Sequence, residues 1–219
     1  MTKRGPSERL RDVRALPADR SACPALLAAA GDPSPDVARA ALERLARLGG
    51  AEEAARLRAG LIDADLGLVP DVARTLRALG DERAAAVALA ALREPRLSKR
   101  LAAATALREL VDPRARDALL GALRDPIAGV RRLAAGGLAR LGEDELTERA
   151  LARLLDDTDA WVRAAAVEAL AAVAADPDLR LEPALADPEP SVRRVLARLA
   201  GRLGRGLVTP LHADTPPHV

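Results

Sequence analysis

Asp125-Pro126-Ile127-Ala128-Gly129-Val130-Arg131-Arg132-Leu133-Ala134-Ala135-Gly136-Gly137-Leu138-Ala139-Arg140-Leu141-Gly142 is the stretch that decides the fold. Val130, Ala134, Leu138 and Leu141 follow i, i+4, i+8, i+11, the apolar stripe of one helix face. Asp125-Pro126 interrupts the chain ahead of them, because the residue before a proline avoids the helical region. Gly142 closes the run as a C-terminal glycine. Upstream, Leu119, Leu120 and Leu123 form another stripe, so the stretch reads as helix, break, helix.

The same unit recurs in both directions. Acids stand at Asp32, Asp63, Glu94, Asp125, Asp156 and Asp187, each 31 residues after the last. Ten residues beyond each acid come Leu42, Ala73, Ala104, Ala135, Ala166 and Ala197. Sixteen beyond come Leu48, Leu79, Leu110, Leu141, Ala172 and Leu203. Self-similarity at such a period is the signature of stacked repeats. Only the fifth unit slips, where Asp157 rather than Asp156 aligns Val162-Arg163 with Val130-Arg131. First helices are expected near 18–30, 50–62, 81–93, 113–124, 143–155 and 177–186. Second helices are expected near 34–48, 66–79, 96–110, 128–141, 159–174 and 189–203, with Ser34 as an N-cap. Leu68-Val69 and Pro70 depart from the pattern, which predicts a late or kinked second helix there. A short extra helix is expected from Ser7 to Leu16, residues 1–17 forming a segment or cap ahead of repeats over 18–203. The Pro-containing tail 204–219 is expected to be disordered.

Composition supports this reading. The 219 residues are 49% hydrophobic and 30% charged, yet they include no Phe, no Tyr and one Trp. Ala, Leu and Val must therefore build thin layers, since they cannot fill the centre of a thick core. Abundant Ala, Leu, Arg and Glu favour an all-α class. Net charge is only +2, but the only lysines are Lys3 and Lys99 among 34 basic residues, and Asn and Gln are absent. Such usage fits codon bias, so arginine abundance alone says little about an anionic partner. Cys23 alone excludes an internal disulfide framework, and no stretch is apolar and long enough to span a membrane. A cytoplasmic protein is expected.

A two-helix unit written D-P-x-x-x-V-R-x-x-A-A-x-A-L resembles the HEAT repeat, and more closely the short bacterial HEAT-like repeats of the phycobilin-lyase type. Asp125-Pro126, Val130-Arg131, Ala134, Ala135 and Leu138 carry the likeness, with Asp187-Pro188 and Val192-Arg193, and Asp157 with Val162-Arg163. The resemblance covers 18–203. It implies a right-handed α-solenoid of about six helix pairs whose second helices line a concave face, with an Asp–Arg ladder joining neighbouring repeats. It implies a fold more strongly than an activity.

Catalytic chemistry finds little support. His212 and His218 both lie in the tail, which leaves no imidazole in the repeats for a triad or metal site. Cys23, next to Pro24 among small apolar residues, reads as a buried inert thiol rather than a nucleophile. No Gly-rich phosphate loop is present, and no cofactor is expected. Alkylpurine DNA glycosylases share a HEAT-like fold and combine tryptophans with an Asp. Here Trp161 has Asp157 and Asp159 nearby, but one aromatic makes little wall for a cationic base.

Two features point to binding. The second helices carry a marked basic excess while the first helices are slightly acidic. Arg39, Arg74, Arg132, Arg140, Arg194, Arg198 and Arg202 therefore mark a candidate groove for an acidic or extended protein segment, Glu43 and Glu168 interrupting its field. The competing reading has Arg100, Arg131, Arg163 and Arg193 paired with inter-helix acids and the others solvated. Trp161 falls in a column otherwise held by Asp36, Gly67, Ser98, Gly129 and Ser191, small or polar and so exposed. It is either an interface anchor or a ring folded over the helix end. The function expected is a non-catalytic protein-interaction scaffold. Phosphate-backbone binding to nucleic acid is the alternative, and a chromophore lyase or glycosylase comes third. A homodimer seam along Leu196, Leu199 and Leu203 is also open.

Overall fold

The computed structural model describes residues 4–174 and 176–203, and these are helical throughout with short connecting turns. The chain divides into two compact units, 1–115 and 116–219.

In the first unit the second helices lie side by side. They are α3 (Pro35–Leu48), α5 (Val69–Ala78) and α7 (Leu97–Leu110), backed by first helices α2 (Cys23–Ala30), α4 (Ala51–Gly60) and α6 (Ala84–Ala91). Helix α1 (Pro6–Ala15) packs on α3, as second helices pack on one another. The segment expected as a cap thus takes the place of a second helix. Arg44 holds it there, donating to the carbonyls of Val13 at 2.5 Å and Leu16 at 2.9 Å and so capping its C-terminal end. In the second unit α8 (Arg116–Ala122) and α10 (Glu145–Arg153) back α9 (Ala128–Leu141) and α11 (Ala160–Val173). Helices α12 (Pro177–Leu181) and α13 (Pro190–Leu203) complete it.

The core of each unit is a layer of leucines on small residues. Leu42, Leu45, Leu76 and Leu107 are fully buried in the first unit, and Leu138, Leu151, Leu170 and Leu196 in the second. Ala38, Ala73, Ala104, Ala135 and Ala166 are fully buried too, letting second helices approach closely. Leu196 is therefore a core residue, not part of an open homodimer seam; Leu203 lies outside the residues whose side chains are described.

Helix ends follow the expected positions with two corrections. Helix α5 starts late, at Val69, in line with the expectation from Pro70, which suits only a first turn. Several first helices are shorter than expected because their ends run as 3₁₀ turns, as at Arg20–Ala22 and Leu154–Asp156. Ser34 occupies the N-cap but its side chain makes no cap bond; Asp32 braces the turn instead, accepting the Ser34 N–H at 2.8 Å. Gly80 and Gly142 end their helices at φ 69° and 86°, whereas the matching end of α7 forces Val111 to φ 54°. A β-branched residue is strained in that region.

Candidate functional site

The Val-Arg columns build a ladder before they build a site. In the second unit Arg131 grips Asp157 through two bonds of 2.7 and 2.6 Å, and Arg163 grips Asp187 through two of 2.7 and 2.9 Å. Each arginine also reaches back to its own turn: Arg163 Nη1 donates to the Asp157 carbonyl at 2.8 Å and Arg193 Nη1 to that of Asp187 at 2.6 Å. Asp157 and Asp187 in turn accept the N–H two residues on, from Asp159 and Glu189. Burial would push the Asp157 carboxyl up, but the Arg131 fork, the Asp159 N–H and two guanidinium charges hold it below the usual carboxylate range. Arg163 holds Asp187 low in the same way. In the first unit Arg9 and Asp32 form an equivalent rung at 2.7 and 3.0 Å, and Arg9 keeps Asp32 low.

The candidate groove residues separate into two groups. Arg39 reaches across to Asp71 on α5 at 3.3 Å, Arg74 to Glu109 on α7 at 3.4 Å, and Arg198 to Glu168 on α11 at 2.5 Å. These three pair with acids on neighbouring second helices, although each arginine stays about half exposed. Arg140 is engaged as well. Arg132 and Arg194 are exposed and make no ion pair among the described residues. Arg202 lies outside the residues whose side chains are described. The broad basic field expected from the sequence thus narrows to Arg132 and Arg194.

Trp161 is 68% exposed, so the ring does not fold over the helix end. It shares a shallow recess of about 330 Å³ with Arg132, Ala128, Gly129 and Asp159. Counted from the helix starts, Gly129, Trp161 and Ser191 form one row on α9, α11 and α13, and Arg132, Ala164 and Arg194 form the next. The indole therefore stands between two small residues, with an alanine between two unpaired guanidiniums one turn on. Arg132 and Trp161, 29 residues apart in sequence, are joined by the packing of α9 on α11.

Other chemistry is occupied. Asp157 is the ladder acid, and Asp159 Oδ1 caps α11 through the N–H groups of Trp161 at 2.8 Å and Val162 at 3.1 Å. Both acids that a glycosylase-like site would use are thus engaged in structure. Cys23 is buried and unpaired, and burial pushes its thiol up. His212 and His218 lie outside the described residues, as does the whole tail 204–219. No helix among the described residues is long and apolar enough to cross a membrane.

Stacked helix pairs joined through an Asp–Arg ladder define a helical-repeat protein. Residues 85–171 match the family model for HEAT repeats, in agreement with the resemblance read from the Val-Arg columns. Solved structures similar to the chain share its fold at low identity. An engineered protein is 18% identical with TM-score 0.54, the match covering 90% of this chain and 95% of that one. A designed armadillo repeat protein in complex with peptide (KR)4 is 18% identical with TM-score 0.52, covering 84% and 99%. The complex of CpcE and CpcF of phycocyanin lyase from a Nostoc species is 18% identical with TM-score 0.50, covering 97% and 93%. No curated protein matches the sequence.

Proposed function

We propose that the chain is a non-catalytic protein-interaction scaffold whose second-unit face holds an acidic, extended partner segment over Arg132, Trp161 and Arg194. The observation that carries this reading is an indole 68% exposed beside an arginine that no acid of the described residues neutralises. Exposed Trp and unpaired Arg are the side chains that dominate binding energy at interfaces. Neighbours of the same fold support it in kind: one is solved with a bound peptide, another as a complex of two proteins. The reading places the protein in the cytoplasm, where the buried Cys23 thiol stays reduced.

Geometry specifies the segment. Packed helices lie about 8–10 Å apart, and an extended polyproline-II chain advances about 3.1 Å per residue with every third side chain on one face. A segment laid across α9, α11 and α13 in that conformation therefore presents a side chain to a new helix about every third residue. The preferred ligand carries an acid, an apolar residue three further on, and a second acid after another three. The single tryptophan makes the test direct, since Trp161 is the only indole in the chain. The peptide Glu-Ala-Ala-Leu-Ala-Ala-Glu is expected to change its fluorescence, while the Lys-for-Glu peptide and a single-stranded oligonucleotide leave it unchanged. A double variant Arg132→Glu, Arg194→Glu should lose the response. Equal titration of wild type and variant would sink the proposal, and a response to the oligonucleotide alone would favour nucleic-acid binding.

A further inference from the structure

The ladder has a missing rung, and a cleft lies beside it. The fourth residue of α9, α11 and α13 is Arg131, Arg163 and Arg193; the fourth of α3 is Ala38, fully buried. The acid that an arginine at position 38 would reach is Asp63, 25 residues on, against 26 for Arg131 to Asp157 and 24 for Arg163 to Asp187. With no guanidinium arriving from α3, Asp63 stays exposed and, among the described residues, takes only the ammonium of Lys99. The Asp63 side of this pair is 72% exposed, so its carboxylate stays open to a second donor.

Beside this gap the first unit opens a cleft of about 830 Å³ between the ends of α2 and α4 and the start of α5. That volume falls within the range of ligand sites, about 300–1,000 Å³. Its walls are apolar, with Leu27, Leu57 and Leu68 prominent; its rim carries Asp63 and Asp65, while its one arginine, Arg56, pairs with Glu52 and its third acid, Asp32, pairs with Arg9. Asp65 uses Oδ1 to accept the Gly67 N–H at 2.8 Å, which leaves its other oxygen facing solvent. The late start of α5 lengthens the turn that carries both acids. In a chain whose second helices are rich in arginine, this is an acidic site with an apolar floor.

We propose that the cleft binds a peptide segment bearing an arginine flanked by an apolar side chain, the partner's guanidinium completing the absent rung on Asp63. The template is internal: Arg9 on Asp32, Arg131 on Asp157 and Arg163 on Asp187 each present a planar fork to a carboxylate. A fork of that kind selects arginine over lysine and rejects a neutral isostere. The apolar neighbour settles against Leu27 and Leu57 and shields the ion pair from water. This site is independent of the Trp161 face and takes a ligand of opposite charge.

The test is fluorescence anisotropy of a labelled Ala-Leu-Arg-Leu-Ala peptide on the full chain, with citrulline-for-arginine and lysine-for-arginine peptides beside it. Citrulline should weaken binding at least about tenfold, and lysine by less. Asp63→Asn should produce the same loss in the protein. Gly60→Leu is the second variant: a Cβ at Gly60 meets nothing within 4 Å, so its side chain projects into open space at the cleft without disturbing the helix. It should keep or raise the melting temperature, because Leu suits a helix better than Gly, while abolishing the anisotropy change. Citrulline and arginine peptides binding alike, or a stable Gly60→Leu protein binding as wild type does, would overturn the proposal.

Discussion

The two units use one repeat pattern and differ in how completely its ladder is filled. In the second unit Arg131 and Arg163 pass from turn to turn and meet Asp157 and Asp187. In the first unit the ladder starts with Arg9 on Asp32 and is then interrupted, because Ala38 and Val69 stand in the Arg positions of α3 and α5; on α7 the arginine returns as Arg100, which reaches back to its own turn. The filled ladder leaves the second unit a shallow recess beside Trp161; the gap leaves the first unit a cleft more than twice as large. At Ala38 the missing arginine coincides with an open cleft, whereas Arg131 and Arg163 stand at closed junctions. The lesson is that arginine in this chain has two roles, and only position in the ladder tells them apart.

That contrast can be broken most forcefully at Arg131. Its pair with Asp157 is nearly shut from solvent, the side chains 14% and 8% exposed. Arg131→Ala should leave a carboxylate without its partner and cost about 3 kcal/mol, read as a lower urea midpoint. The exposed Arg198–Glu168 pair is the control, and Arg198→Ala should cost less than about 1 kcal/mol. Equal losses would mean that the ladder is not what holds the second unit.

Acid should act through the same groups. Asp32, Asp157 and Asp187 are all held below their ordinary range in the folded protein. A depressed carboxylate contributes stability that is present above its unfolded value, about pH 4, and lost as pH falls from there through the lower folded value. Melting temperature is therefore expected to fall steeply below about pH 4. A double variant Arg131→Met, Arg163→Met should flatten that limb, and an unchanged limb would count against the ladder as its source.

A smaller effect sharpens the comparison of helix ends. Gly142 closes α9 in the left-handed region at no steric cost, while Val111 does so for α7 with a branched side chain. Val111→Gly should raise stability by about 1 kcal/mol, measured by denaturant unfolding. The smallest change is expected at Trp161: because the ring is mostly in water, Trp161→Ala should move stability by less than about 0.5 kcal/mol. The same variant should lose peptide binding on the second-unit face.

Much of the fold was legible because helix periodicity, Asp-Pro breaks and terminal glycines are local signals that act within a few residues. Helices α9 and α13 fall within a residue of the expected ranges for this reason. The late start of α5 was legible from Pro70. The role of α1 was not, since Arg9 pairs with Asp32 across 23 residues and nothing in the spacing of Asp-Pro turns reveals it. The site was legible as residue types only. Arg39, Arg74 and Arg198 share the helix face expected of binding arginines, and their pairing with Asp71, Glu109 and Glu168 depends on which helix lies alongside.

The sequence by itself determined an all-helical repeat, its turns and its aliphatic core. Those follow from backbone preference and from the burial of small apolar stripes, which neighbours in the chain dictate. Tertiary structure alone decided which guanidiniums are neutralised, that Arg132 and Trp161 share one recess, and that the absence of an arginine at Ala38 coincides with a cleft. Ion pairing depends on distances of a few ångströms between side chains some thirty residues apart, and only the packing of one helix pair on the next sets those distances.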